Sequence, residues 1–84
     1  MLMKIPVKVY GRYKDITGKE TIQLNINEGG TLQDIINEFV KQYPSLLPDK
    51  SRMMITKNKM FTSLDSTVAY DDEITLAPPI VSGG

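Results

Sequence analysis

The sequence predicts an α+β domain in which a sheet of four or five strands packs on a single helix. Segments with apolar residues at every second position recur along the chain, which is typical of strands that bury one face. Only one segment, Thr31 to Tyr43, carries its apolar residues at helical spacing. Because each strand has one apolar face and only this helix is available to cover it, a single sheet on a single helix is the simplest arrangement that buries these residues.

Two alternating segments near the N-terminus predict a hairpin. The first, Lys4 to Tyr10, contains Pro6, which lacks an N–H group and is unfavourable inside a central strand. We therefore expect this strand to begin after Pro6 or to contain a bulge there. Gly11 to Gly18 interrupts the alternation and predicts either a loop or a short helical turn that ends at Gly18. Glu20 to Ile26 alternates again and predicts the second strand.

The helix prediction rests on signals at both of its ends. Thr31 can cap the N-terminus, and Asp34 completes a capping box with Asp in place of the usual Glu. Pro44 predicts that the helix ends at Tyr43, because the residue before a proline disfavours the helical backbone. The apolar stripe consists of Leu32, Ile35, Ile36, Phe39, Val40 and Tyr43.

The segment after the helix predicts a linker followed by short strands. Ser45 to Arg52 is predicted to be the linker. Met53 to Thr56 and Met60 to Leu64 are two strand candidates on either side of Asn58, which tolerates a positive φ.

An acidic turn, Asp71 to Glu73, precedes the last predicted strand, which alternates from Ile74 to Pro78. Its consecutive carboxylates cannot converge on a substrate from opposite sides. The spacing of a calcium-binding loop is also absent. We therefore predict a solvated turn and no metal site.

The composition excludes several classes of function. The 84 residues include ten basic and ten acidic side chains without long runs of either sign, so the basic footprint of a nucleic-acid-binding protein is missing. Because the chain has no Cys and no His, it cannot form Cys/His zinc sites, thiol nucleophiles or Ser-His-Asp triads. We expect a cytoplasmic protein without a membrane partner, because neither a signal peptide nor a long apolar run is present.

The C-terminal segment is the strongest functional signal in the sequence. Residues 1–78 are predicted to form the domain, and residues 79–84 an extended tail that ends in Gly83-Gly84. Two glycines make a chain end that can enter a slot too narrow for any side chain. When fully extended, the tail would span roughly 20 Å and could reach into a partner. A carboxylate is a poor electrophile, so the terminal group would first have to be activated, for example as an acyl-adenylate formed from ATP.

These features together resemble a known family. The tail PPIVSGG, the acidic turn DDE, the segment YGRYKDITG after the first strand and the single capped helix are similar to the small subunit of molybdopterin synthase. That family belongs to the ubiquitin-like β-grasp sulfur carriers. The resemblance covers nearly the whole chain, and the Pro-Pro-x-x-x-Gly-Gly ending is its most specific part. It implies the ubiquitin-like β-grasp fold, a mixed sheet of four to five strands packed on one main helix.

The resemblance implies that Gly84 carries the chemistry. An activating enzyme would use ATP to adenylate the Gly84 carboxyl group, which would then become a thiocarboxylate. The large catalytic subunit of molybdopterin synthase would receive the tail and transfer its sulfur to a pterin precursor. The chain would be no enzyme on its own and would bind no cofactor. The residues implied in partner contacts are Pro78, Pro79, Ile80, Val81, Ser82 and Gly83 of the tail region and Lys8, Met54, Thr75 and Ala77 of the sheet.

Two departures from the family pattern keep related functions open. Asp71 stands where the family often has Gly, and we expect Asp71 to adopt the left-handed geometry of that Gly. Lys59 follows Asn58 where Asn-Gly is common. The alternatives are a ubiquitin-like protein modifier, a sulfur carrier for tRNA thiolation or thiamine synthesis, and a non-catalytic adaptor domain with an inert tail.

Overall fold

The computed structural model describes residues 1–79. The elements are β1 (Leu2–Val9), α1 (Arg12–Thr17), β2 (Thr21–Asn27), α2 (Leu32–Gln42), a 3₁₀ helix (Pro44–Asp49), β3 (Met54–Lys57) and β4 (Ile74–Ala77). The four strands of the described residues form one mixed sheet of order β2-β1-β4-β3, in which β1 and β4 are parallel and the other neighbours antiparallel. The main helix, α2, packs on one face of the sheet, so the predicted sheet on one main helix is confirmed.

The core lies between α2 and the inner face of the sheet. Phe39 lies at its centre, with its ring 5.3 Å from that of Tyr13 and 5.5 Å from that of Tyr43. The buried side chains come from alternate strand positions and from the apolar stripe of α2, as the alternation predicts. Those of the strands and α2 are Ile5, Val7, Val9, Ile22, Leu24, Ile26, Leu32, Ile35, Ile36, Phe39, Val40, Ile55, Ile74 and Leu76.

β1 runs through Pro6 in an unbroken register with β2, so the expected strand start or bulge at this residue is wrong. The Val9 N–H donates toward β2 at 2.9 Å, whereas the Tyr10 N–H donates to β4 at 3.0 Å. Because successive amides of a strand point to opposite sides, the nitrogen of Pro6 faces the β4 side. The pairing of β1 with β4 begins only at Val7, so the missing N–H breaks no hydrogen bond of the sheet.

The boundaries of α1 and α2 agree with the local signals to within one residue. The Thr31 side chain accepts a hydrogen bond from the Asp34 N–H at 3.4 Å, and the Asp34 carboxylate accepts one from the Thr31 N–H at 2.9 Å. α2 ends at Gln42, one residue before Tyr43. Of the two possibilities for Gly11 to Gly18, the helical turn is found, and Gly18 closes it with a φ of 73°.

The segment Met60 to Leu64 is not a strand, so the sheet of the described residues has four strands and not five. Asn58 takes the positive φ that we predicted, at 53°, and Lys59 takes 68°. After this turn the chain leaves β3 and runs to the start of α2. There the carbonyl groups of Leu64 and Ser66 accept hydrogen bonds of 3.1 and 3.0 Å from the first helical N–H groups. These N–H groups have no partner within the helix, so Leu64 and Ser66 cap α2.

The acidic turn is held by the Asp72 side chain, and Asp71 does not take the left-handed geometry that we expected. Among residues 1–79, only two residues other than Gly, both in the β3 turn, have a positive φ. The Asp72 carboxylate accepts hydrogen bonds from the Ala69 N–H at 2.8 Å and from the Asn58 side chain at 3.1 Å. The turn therefore needs no left-handed residue. These hydrogen bonds, the one from Ala69 foremost, lower the pKa of Asp72.

The predicted linker over Ser45 to Arg52 is wrong, because Pro44–Asp49 forms a 3₁₀ helix that is anchored by a buried carboxylate. The hydroxyl group of the fully buried Tyr13 donates to Asp49 at 2.9 Å, and the Arg12 guanidinium forms an ion pair with the same carboxylate. Burial, and after it the hydrogen bond to Asp49, raises the pKa of Tyr13 far above its usual range. These contacts join α1 to the 3₁₀ helix.

We predict that Tyr13→Phe destabilises the domain by about 1.5–3 kcal/mol, since it removes a buried hydrogen bond to a charged group. The loss is measured by urea unfolding. Tyr70→Phe is the matched control, because Tyr70 is 74% exposed. Equal unfolding midpoints for the two variants would contradict a stabilising role of the Tyr13–Asp49 contact.

We also predict that Asp72→Asn lowers stability at neutral pH but not in acid. Folding holds the pKa of Asp72 below its ordinary value of 3.8, so the carboxylate contributes stability above that pH. This contribution disappears as the pH falls through the lower pKa of the folded state. Urea unfolding at pH values of about 7 and about 2.5 tests the difference. Asp71→Asn is the control, and a deficit of the Asp72 variant that persists in acid would overturn the explanation.

Candidate functional site at the base of the tail

The structure describes the base of the predicted tail but not its end. Pro78 and Pro79 follow β4 directly and are both half-buried. The predicted reactive residue, Gly84, and the predicted contact residues Ile80, Val81, Ser82 and Gly83 lie outside the described residues 1–79. The described part of the site is the surface from which the tail begins.

The four predicted contact residues of the sheet lie together on its outer face, opposite α2. Lys8 of β1 is the register partner of Thr75 of β4, and Met54 of β3 is the partner of Ala77. Lys8 is exposed and the other three side chains are half-buried. The Thr75 hydroxyl group forms a hydrogen bond with that of Thr56 across β3 and β4. We call Lys8, Met54, Thr56, Thr75 and Ala77 the outer patch.

The outer face carries positive charge only. Its outward strand positions include two lysines, Lys4 and Lys8, and no carboxylate. The Lys8 ammonium group lies 5.4 Å from the centre of the Tyr10 ring, next to the end of β1. An acidic surface of a partner is electrostatically complementary to this face. The outward positions are Leu2, Lys4, Pro6 and Lys8 of β1, Thr21, Gln23, Asn25 and Asn27 of β2, Met54 and Thr56 of β3, and Thr75 and Ala77 of β4.

Sequence reasoning missed one contact at the base of the tail. Gly11, which follows β1, lies against the ring of Pro78, which follows β4. The only signal for it in the sequence is a glycine placed directly after a strand. Its partner comes from the opposite end of the chain, so no local pattern reveals the pair.

The described residues provide binding groups and no metal centre. Within residues 1–79 no group of three or more His, Cys, Asp or Glu side chains could hold a metal ion. In the same part of the chain, every helix is too short or too polar to cross a membrane. The outer patch offers hydroxyl groups, an ammonium group and apolar side chains, which suit contact with another protein surface.

The chain is similar in sequence to a plant protein and in structure to two archaeal proteins. It is 32% identical over 82 residues to the molybdopterin synthase sulfur carrier subunit of Arabidopsis thaliana, and the match covers 98% of this chain and 84% of that protein. SAMP1 from Haloferax volcanii superposes with a TM-score of 0.78 at 22% identity, covering 98% of this chain and 100% of SAMP1. A putative molybdopterin converting factor, subunit 1, from Pyrococcus furiosus superposes with a TM-score of 0.80 at 21% identity, covering 93% of this chain and 99% of that one.

The two structural likenesses confirm the predicted ubiquitin-like β-grasp fold. A sequence profile of the ThiS family matches residues 7–84, from the middle of β1 to the last residue. The match therefore includes the end of β1, all of β4 and the tail itself. The chain belongs to the ThiS family.

Proposed function

We propose that the chain is a sulfur carrier that serves as the small subunit of molybdopterin synthase. The observation that carries this proposal is the 32% identity, over nearly the whole chain, to a molybdopterin synthase sulfur carrier subunit. The Gly-Gly ending of the sequence is consistent with it. The reactive group is the carboxyl group of Gly84.

The chemistry occurs on the tail and requires no catalytic side chain of this chain. An activating enzyme transfers AMP from ATP to the Gly84 carboxylate and releases pyrophosphate. Hydrosulfide then attacks the acyl carbon, displaces AMP and loses its proton, which leaves a thiocarboxylate. The large subunit uses this sulfur for a pterin precursor, and the carboxylate is regenerated. Pro78 and Pro79 stiffen the base of the tail, so less conformational entropy is lost when the tail enters a partner.

The outer patch is the proposed docking surface for the large subunit. It adjoins the base of the tail, because Ala77 immediately precedes Pro78. A partner that receives the tail therefore also contacts this face. The positive charge of Lys4 and Lys8 favours a large subunit whose facing surface is acidic.

A conjugated modifier is the second candidate, because the same fold occurs in SAMP1, a small archaeal modifier protein. This likeness, at 22% identity, concerns the fold alone. The two functions share the adenylated carboxyl group and differ in the nucleophile that follows. Sulfur gives a thiocarboxylate, whereas a lysine amine of a target gives an isopeptide bond.

We predict that the mass of the protein rises by the exchange of one oxygen for one sulfur after incubation with an activating enzyme, ATP and a sulfur donor. Intact-mass spectrometry measures the change, and fragmentation locates it at Gly84. Gly84→Ala is expected to fold normally and to lose most of the modification, since the added methyl group obstructs a narrow slot. Reactions without ATP are the control.

An unchanged mass in the presence of an enzyme that is active on its own carrier would contradict the proposal. An isopeptide-linked remnant of the C-terminal segment on lysines of other proteins, without any thiocarboxylate, would favour the modifier instead.

We predict that Lys8→Glu weakens binding to the large subunit by about tenfold, which corresponds to roughly 1.4 kcal/mol, because it places a negative charge on the outer patch. Isothermal titration calorimetry measures the affinity. Lys41→Glu is the matched control, because Lys41 is exposed on α2, on the opposite side of the sheet. Equal affinities of the two variants would show that the large subunit does not use the outer patch.

A further inference from the structure

The Pro78 ring lies where a side chain at position 11 would begin. A Cβ atom at position 11 would lie 3.1 Å from Cγ and 3.3 Å from Cδ of the Pro78 ring. Both distances are shorter than the separation of roughly 3.5–4.0 Å at which carbon atoms pack comfortably. Within 4 Å, such a Cβ would meet no other part of residues 1–79 apart from the immediate chain neighbours of Gly11. The missing side chain of Gly11 therefore leaves space that the Pro78 ring occupies.

The backbone of Gly11 also requires a glycine. Its φ of 59° and ψ of −139° lie in a region that side-chain-bearing residues rarely adopt. This conformation turns the chain from the end of β1 into α1, so that the Gly11 Cα faces the neighbouring strand end. The same turn therefore explains why a glycine is needed at position 11 and why the Pro78 ring lies beside it.

The turn that contains Gly11 is held on both sides. The Tyr10 N–H donates to the Leu76 carbonyl of β4 at 3.0 Å, and the Gly11 carbonyl accepts from the Lys14 N–H at 3.1 Å. α1 is in turn attached to the core through the buried Tyr13 and its hydrogen bond to Asp49. The position of Gly11 is therefore fixed by hydrogen bonds on both sides of the turn.

Pro78 is the point at which a small displacement acts on the whole tail. Because the ring of proline fixes its φ at about −65°, a shift of the ring reorients the backbone that follows it. A change at Pro78 therefore acts on every residue that follows it toward Gly84. A displacement of only about 1 Å at a reacting group can lower a rate by about 100-fold.

We propose that Gly11 is a positioning residue for the reactive tail. It supports Pro78 and thereby sets the direction in which the chain after Pro79 leaves the sheet toward the partner. This inference rests on the proposed function, in which the Gly84 carboxyl group must reach a reacting position in another protein.

Gly11→Ala, compared with Gly18→Ala, tests the inference. Gly18 has a similarly positive φ of 73°, but nothing lies within 4 Å of a Cβ placed there. Both substitutions impose backbone strain, and only Gly11→Ala displaces Pro78. Pyrophosphate release by the activating enzyme gives kcat and KM for each variant. We expect Gly11→Ala to lose at least about tenfold more kcat/KM than Gly18→Ala, mainly in kcat, since a misdirected tail reduces productive positioning.

A double-mutant cycle with Pro78→Ala separates positioning from general destabilisation. If Gly11 acts through Pro78, Gly11→Ala costs much less kcat/KM in the Pro78→Ala background than in the wild type. Additive losses in kcat/KM would overturn the inference. Pro78→Ala alone tests the same contact from the tail side if Gly11→Ala fails to fold, and activity equal to wild type would then contradict the proposal.

NMR spectroscopy provides a readout that does not depend on the activating enzyme. We expect Pro78→Ala and Gly11→Ala to shift the amide signals of residues 80–84, and Gly18→Ala to leave them unchanged. If wild-type protein is not adenylated, the proposed function fails while these spectra still test the Gly11–Pro78 contact. If wild type is adenylated and Gly11→Ala matches Gly18→Ala in both kinetics and spectra, the inference fails and the proposed function stands.

Discussion

The parallel pairing of β1 with β4 is the constraint on which the candidate site depends. It aligns Val7–Val9 with Ile74–Leu76, which come from opposite ends of the described chain. Parallel strands cannot be joined by a tight turn, so the connection between them must cross over the sheet. Here the connection contains β2, α2, the 3₁₀ helix and β3. As a result, the ends of β1 and β4 lie side by side, and Gly11 meets Pro78.

The two faces of the sheet have different roles. The inner face and α2 supply the apolar core, with Phe39 between two tyrosine rings. The outer face carries lysines, threonines and amides and stays available for a partner. Because the domain has no Cys or His, the proposed chemistry belongs to its final carboxyl group. In this proposal the folded part presents that group to a partner, so a small domain can take part in the reaction without a catalytic side chain of its own.

Local sequence signals predicted α2 and most strands. They failed where the backbone structure depends on contacts with residues outside the local pattern. The capping box at Thr31 and the proline at Pro44 define α2 from contacts within a few residues. Pro6, by contrast, is acceptable because of where β4 begins, and Asp71 needs no unusual backbone because Asp72 holds the turn. Of the site, the position of Lys8, Met54, Thr75 and Ala77 on one surface could be predicted from the resemblance. The Gly11–Pro78 contact could not.

The sequence by itself determined the periodicity of the strands, both ends of α2, the positive φ of Asn58 and membership of the ThiS family. These properties depend on each residue and its near neighbours, or on similarity along the whole chain. Only the tertiary structure decided that Leu64 and Ser66 cap α2, that Asp49 is buried against Tyr13, and that the Pro78 ring fills the space beside Gly11. Each of these contacts joins residues far apart in sequence, and such contacts form only when the sheet and α2 bury their apolar faces together.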